Sequence, residues 1–146
     1  MDISERKLRE LYLPPFVAAI RDAKVGTVMA AHNEINGIPC HGNKWLLNDL
    51  LRDELGFNGF VVSDWMDIER LHSMHHWVPD STEAFVVSVE SGIDMHMQGD
   101  KYFEAVVAAV KSGRIPESCI DQAAGKILAV KFALGLFEQP VPEIPE

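Results

Sequence analysis

Three strand-like apolar runs recur along the chain at a near-constant interval of 33 residues, measured between their ends near Ala31, Asp64 and Met97. Each run is short and rich in β-branched or long apolar side chains, as buried strands are, and the runs span residues 25–31, 60–63 and 93–97. A helical pattern fills each interval. This alternation predicts parallel strands joined by right-handed crossovers.

The helical segments carry start and stop signals of their own. Side chains suited to N-caps occur at Asp2, Asn43 and Asp80, and Glu83 completes a capping-box pattern after Asp80. Pro116 suits the first position of a last helix. Glycines that would end helices follow at Gly56, Gly92, Gly113 and Gly135. The opening segment is expected to form two helical pieces separated at Pro14-Pro15.

The period of the chain indicates its fold class. A (β/α)₈ barrel uses about 250 residues for eight units, or roughly 31 per unit, which is close to the interval here. We therefore predict an α/β fold: a partial (β/α)₈ TIM-type barrel made of the latter three or so β/α units. A doubly wound open sheet is the alternative. Residues 1–138 would be the C-terminal portion of the barrel domain, and the proline-spaced residues 139–146 a linker toward an absent second domain.

Composition narrows the partners. The formal net charge of −9 argues against nucleic acid, and no apolar stretch approaches the roughly 18 residues of a membrane span. No glycine-rich nucleotide motif occurs, so no cofactor is predicted. Cys40 and Cys119 lie far apart and are interpreted as two buried thiols. Part of a barrel leaves two open sheet edges, where self-association is expected.

Asp64 and Trp65 are the leading candidates for a functional site. They follow the middle strand, at the C-terminal end where parallel α/β folds bind ligands. A carboxylate there suits a nucleophile or base, and an indole suits stacking on a sugar ring. The alternatives are a turn aspartate that caps the next segment and a partly buried core tryptophan.

Histidines supply weaker candidates. His32 closes the first strand at the place taken as equivalent to Asp64, and His96 is expected to line the mouth of the site from the third strand, on the same side as Asp94. Glu34 and Asp67 occupy loops after strands. The remaining histidines have helical spacing but no complete set of metal ligands, so no metal site is predicted and a polar loop or helix face is favoured; they are His72, His75 and His76.

Motifs along almost the whole chain resemble glycoside hydrolase family 3, the β-glucosidase and β-xylosidase type. They occur in the family's order at residues 8–16, 28–40, 56–65 and 113–116. The resemblance implies a two-domain retaining enzyme for β-glucosides or related β-glycosides, in which a barrel precedes an α/β sandwich domain. It makes Asp64, from the Ser63-Asp64-Trp65 motif, the nucleophile, and Trp65 a wall of the sugar subsite.

The resemblance also implies what this chain lacks. The acid/base carboxyl would come from the second domain, and the family's Lys-His pair would precede Met1, so the chain alone is expected to hydrolyse little. His32 stands where many members have a tyrosine that contacts the nucleophile, and an imidazole there would titrate near neutrality. A periplasmic or secreted location is implied by the resemblance alone. The competing functions are a non-catalytic sugar-binding or assembly module and, behind it, a metal-dependent enzyme using the histidines.

Overall fold

The structure is a computed structural model that describes residues 1–139. Its strands are β1 (Thr27–Met29), β2 (Glu34–Ile35), β3 (Ile38–Pro39) and β4 (Phe60–Val62). Two helices have π-type hydrogen bonding, namely π1 (Leu8–Tyr12) and π2 (Trp45–Glu54). The α-helices are α1 (Glu5–Lys7), α2 (Pro14–Arg21), α3 (Asp67–Ser73), α4 (Ser81–Ser91), α5 (Tyr102–Lys111) and α6 (Glu117–Ala133).

The three predicted strand positions lie side by side in parallel. Met29 pairs with Val62 across β1 and β4, and Val62 forms a parallel bridge to Met95. Both steps are 33 residues, so the sequence interval is the register of the sheet. The predicted α/β fold with parallel strands is confirmed. The strands are shorter than predicted, and the third run contributes only the bridge at Met95.

Most of the predicted helix signals are confirmed. Asn43 Oδ1 accepts the Leu46 N–H at 3.0 Å, and Asp80 Oδ1 accepts the Glu83 N–H at 2.8 Å. The four terminating glycines, Gly56, Gly92, Gly113 and Gly135, all have positive φ. Asp2 was a wrong N-cap, because the side chain of Ser4 caps α1 through the Lys7 N–H at 3.2 Å. Pro116 precedes α6 as its N-cap residue instead of beginning it.

Two elements were missed by the sequence analysis. The antiparallel hairpin of β2 and β3 turns at Asn36-Gly37, whose φ values of 52° and 79° match the preference of Asn-Gly for tight hairpin turns. That dipeptide was a usable signal. Asn36 also receives the Ile3 N–H at 2.7 Å, which fixes the first residues against the hairpin. The other missed element is α3, which follows β4 directly.

The core lies between the sheet and the helices that follow it. Val61, Ile68 and Leu71 are fully buried there. A Cβ at Gly59 would lie 2.1 Å from the Gly26 carbonyl oxygen, so the backbones entering β4 and β1 approach closely only because residue 59 is glycine. Cys40 is buried as predicted, whereas Cys119 is half-buried. Among the helices of residues 1–139, none is long and apolar enough to cross a bilayer.

A buried ionic cluster joins the last helix to the sheet. The side chain of Asp94 is only 3% exposed, yet it binds Arg52 Nη2 at 2.5 Å, Lys126 Nζ at 2.8 Å and the Val61 N–H at 2.8 Å. Lys126 belongs to α6, a helix with no fully buried residue. Asp94 therefore anchors α6, in partnerships different from those of His96. Self-association at the sheet edges stays a prediction.

Candidate active site

Asp64 lies in a tight turn between β4 and α3. The Asp67 N–H donates to the Asp64 carbonyl at 3.3 Å, and Met66 between them has a φ of 57°. The hydroxyl of buried Ser63 donates to the same carbonyl at 3.0 Å and accepts the Met97 N–H at 2.9 Å. The turn is thus held from both the second and the third strand positions.

The Asp64 carboxylate is half-buried, and one oxygen serves the turn. Its Oδ1 accepts the Trp65 N–H at 2.6 Å, which is the local bond expected of a turn aspartate. Among the residues that the structure describes, the second oxygen accepts no hydrogen bond, so it is available to a ligand. Trp65 is 56% exposed and is not a core aromatic residue. A free carboxylate oxygen and an exposed indole lie side by side in sequence.

Asp67 is the most heavily bonded carboxylate near this turn. Its side chain is 2% exposed, and both oxygens lie 2.9 Å from His32 Nδ1. Arg70 Nη1 donates to its Oδ1 at 2.5 Å, and His41 Nδ1 lies 3.9 Å from its Oδ2. The sequence analysis placed Asp67 in a loop as a weak candidate. It is instead the first residue of α3 and is surrounded by cationic and imidazole groups.

His41 is a site residue that the sequence analysis missed. Its ring is 2% exposed, and Nε2 accepts the backbone N–H of Asp64 at 3.1 Å. Since Nε2 accepts, the ring proton must lie on Nδ1, which faces Asp67. Burial lowers the pKa of His41 to about 4, and the nearby Asp67 and Asp64 carboxylates oppose that shift only in part. The family-like motif was recognised only as far as Cys40, one residue too early.

His32 does not occupy the position equivalent to Asp64. The 33-residue register pairs Asp64 with Ala31, so His32 lies one residue beyond the predicted equivalence. Its imidazole contacts Asp67, and this is the hydrogen bond that the structure shows in place of one to Asp64. The ring is half exposed. His32 therefore meets the site through Asp67.

The other histidines have separate partners. His72 Nδ1 lies 3.1 Å from the Val78 carbonyl oxygen, and His75 Nδ1 lies 3.6 Å from Glu34 Oε2. His96 Nε2 lies 3.3 Å from Glu69 Oε1, and its ring stacks on Tyr102 at 4.4 Å between centroids. Within residues 1–139, no three histidine, cysteine or acidic side chains come together as metal ligands would.

The buried neutral ring of His41 predicts a pH-dependent stability. Its pKa in the folded chain, about 4, is below the usual value of 6.5, so between these pH values the unfolded chain binds a proton that the folded chain does not. The free energy of unfolding should therefore fall by about 3 kcal/mol as the pH drops from 6.5 to 4. Urea titrations at several pH values would measure this.

The control for that measurement is His41→Gln, because glutamine is neutral throughout and can present an amide oxygen near the position of Nε2. Carboxyl groups elsewhere titrate equally in both proteins, so the difference between the two slopes isolates His41. Equal slopes for the variant and the parent between pH 4 and 6.5 would contradict the prediction.

Parallel strands with a carboxylate and an exposed indole at one C-terminal strand end form the arrangement typical of α/β-barrel enzymes. Residues 1–130 match the model of the family described as "Glycosyl hydrolase family 3 N terminal domain". The chain belongs to glycoside hydrolase family 3. This membership confirms the family recognised from the sequence and its barrel-type fold.

The most similar proteins include a "Beta-xylosidase" from Formosa agariphila, 46% identical over 94% of this chain and 20% of that protein. A "Lysosomal beta glucosidase" from Dictyostelium discoideum is 43% identical over 96% of this chain and 17% of its own length. The crystal structure of a β-glucosidase from Listeria innocua in complex with glucose superposes with a TM-score of 0.91, at 36% identity, over 96% of this chain and 19% of that one. The chain thus spans about a fifth of these relatives.

Proposed function

We propose that this chain is the nucleophile-bearing part of a retaining β-glycosidase, with Asp64 as the nucleophile. The observation that carries the proposal is the position of Asp64: a rigidly held turn at the end of β4, one free carboxylate oxygen, and the exposed Trp65 beside it. Named β-glucosidases and β-xylosidases among the relatives support a β-glycoside as the substrate.

The proposed reaction proceeds in two displacements. The free oxygen of Asp64 attacks the anomeric carbon of the sugar as the bond to the leaving oxygen breaks, and a second carboxyl group protonates that oxygen. Water, deprotonated by the second carboxylate, then attacks the same carbon and releases Asp64. The two inversions restore the original configuration, which is why the enzyme would be retaining.

The second carboxyl group would come from outside residues 1–146. Asp67 is the nearest carboxylate in sequence on α3, but it is 2% exposed and both its oxygens are bonded, so it has no access to a leaving group. The share of about a fifth that this chain covers in its relatives supports a contribution from elsewhere. Low activity of the chain alone and the linker role of residues 139–146 remain predictions; residues 140–146 lie outside the described part.

Trp65 would form a wall of the sugar subsite, since a half-exposed indole can stack on the apolar face of a pyranose ring. His32, half exposed and fixed by Asp67, would contact the same sugar from the end of the first strand. A carbohydrate is thus the proposed partner, and location stays a prediction.

Trapping the covalent intermediate tests the proposal. An active protein containing residues 1–146 would be treated with a 2-deoxy-2-fluoro-β-glycoside that has a good leaving group, because fluorine slows release of the glycosyl-enzyme more than its formation. Peptide mass spectrometry should find the fluorosugar ester on Asp64. Asp64→Asn should remain unlabelled. An ester on any other carboxylate would overturn the assignment.

A further inference from the structure

Asp67 joins parts of the chain that are distant in sequence. His32 follows β1, His41 lies in the turn after β3, and Arg70 belongs to α3, yet all three point a nitrogen toward one carboxylate. The carboxylate is 2% exposed. Buried charges of this kind persist only when they are paired, so Asp67 must stay ionised and bonded for the group to hold together.

Two of these partners extend to the candidate site itself. His41 uses its Nε2 to accept the Asp64 N–H at 3.1 Å, and Arg70 Nη1 also donates to the Trp65 carbonyl at 3.1 Å. The backbone of the carboxylate residue and that of its indole neighbour are therefore each held by a side chain that Asp67 orients. The turn needs such support, because Met66 adopts a left-handed conformation that a methionine rarely takes.

We propose that Asp67 is the positioning residue of this site, holding Asp64 through His41 and Trp65 through Arg70. The proposal rests on the proposed function, because positioning matters only if Asp64 and Trp65 meet the substrate. Catalytic groups misplaced by about 1 Å lose on the order of a hundredfold in rate, so a fixed backbone at the nucleophile has a measurable value.

The groups facing His41 determine how the arm to Asp64 works. They are Asp67 and Asp64 on the acidic side and His32 and His75 on the imidazole side. Asp67 selects the tautomer with the proton on Nδ1, and only this tautomer leaves Nε2 free to accept from Asp64. Loss of the Asp67 charge removes that selection without removing any atom from the turn.

A structural measurement tests the positioning role independently of activity. In ¹⁵N-labelled full-length protein, ring ¹⁵N shifts should show His41 with its proton on Nδ1, and the Asp64 amide should exchange slowly with solvent. Asp67→Asn should mix the tautomers and speed Asp64 amide exchange by about tenfold, the effect of one hydrogen bond. Unchanged tautomer and exchange would overturn the proposal.

Kinetics then separate positioning from acid/base chemistry. Asp67→Asn should lower kcat by about 10- to 100-fold, equally for aryl glycosides with good and with poor leaving groups. An acid/base residue would instead lose most on poor leaving groups and would be rescued by azide, which attacks without a general base. Either of those results would overturn the positioning role, whereas full activity of Asp64→Asn would overturn the proposed function alone.

Two further variants serve as controls. Asp80→Asn makes the same chemical change at the exposed N-cap of α4, where asparagine caps equally well, so its kcat should match the parent. If Asp67→Asn does not fold, His41→Gln and His41→Leu decide the question. Glutamine keeps an acceptor near Asp64 and should retain most of the rate, and leucine should lose it. Equal rates for these two variants would overturn the proposal.

Discussion

Asp64→Asn is expected to lower kcat/KM for β-glycosides by at least about a thousandfold in an active protein that contains this chain, because an amide cannot form the glycosyl ester. The fold should be unaffected. The amide oxygen of asparagine can still accept the Trp65 N–H, and Asp64 contributes only its backbone to the bonds with Ser63, Asp67 and His41.

Added azide identifies the mechanism of the residual reaction. In Asp64→Asn, a small anion can enter the space left by the nucleophile and displace an activated leaving group once, which gives a glycosyl azide of inverted configuration. Product analysis by NMR would show it. Asp80→Asn, which should behave like the parent, is the matched control. Substantial hydrolysis by Asp64→Asn without azide would exclude Asp64 as the nucleophile.

Asp94→Leu should cost the second largest amount, about 3–5 kcal/mol in the free energy of unfolding, because it leaves two cations without their buried partner. Arg52 and Lys126 both bind this carboxylate, and the Val61 N–H in the central strand also loses its acceptor. Since α6 has no fully buried residue, loss of the Lys126 contact should also loosen that helix from the sheet. Urea unfolding and hydrogen exchange of α6 amides would measure both effects.

Arg114 supplies the control for Asp94. Its side chain pairs with Glu90 and Glu83 at the surface, where solvent screens the interaction. Arg114→Ala should therefore change stability little. Lys126→Met separates the two roles of Asp94, because it removes the contact of α6 and leaves the Arg52 pair intact. A stable Asp94→Leu protein with normal α6 exchange would contradict the anchoring role.

The sequence analysis was most successful where the signal was local or periodic. Helix caps at Asn43 and Asp80 act over three residues, and the interval of 33 residues reappears as the register Met29–Val62–Met95. It erred by one residue at His32, because a strand end read from composition does not fix the pairing. It overlooked the hairpin although Asn36-Gly37 carried the signal.

The sequence by itself determined the parallel α/β pattern, the family, and the place of Asp64 and Trp65 at a strand end. These follow from the order and spacing of residues close together in the chain. Only the tertiary structure decided that Asp67 is buried among His32, His41 and Arg70, because His32 and Asp67 are 35 residues apart, and His41 and Asp64 are 23 apart. No local pattern specifies such contacts, since packing of the sheet, turn and helix brings the groups together and excludes water from them.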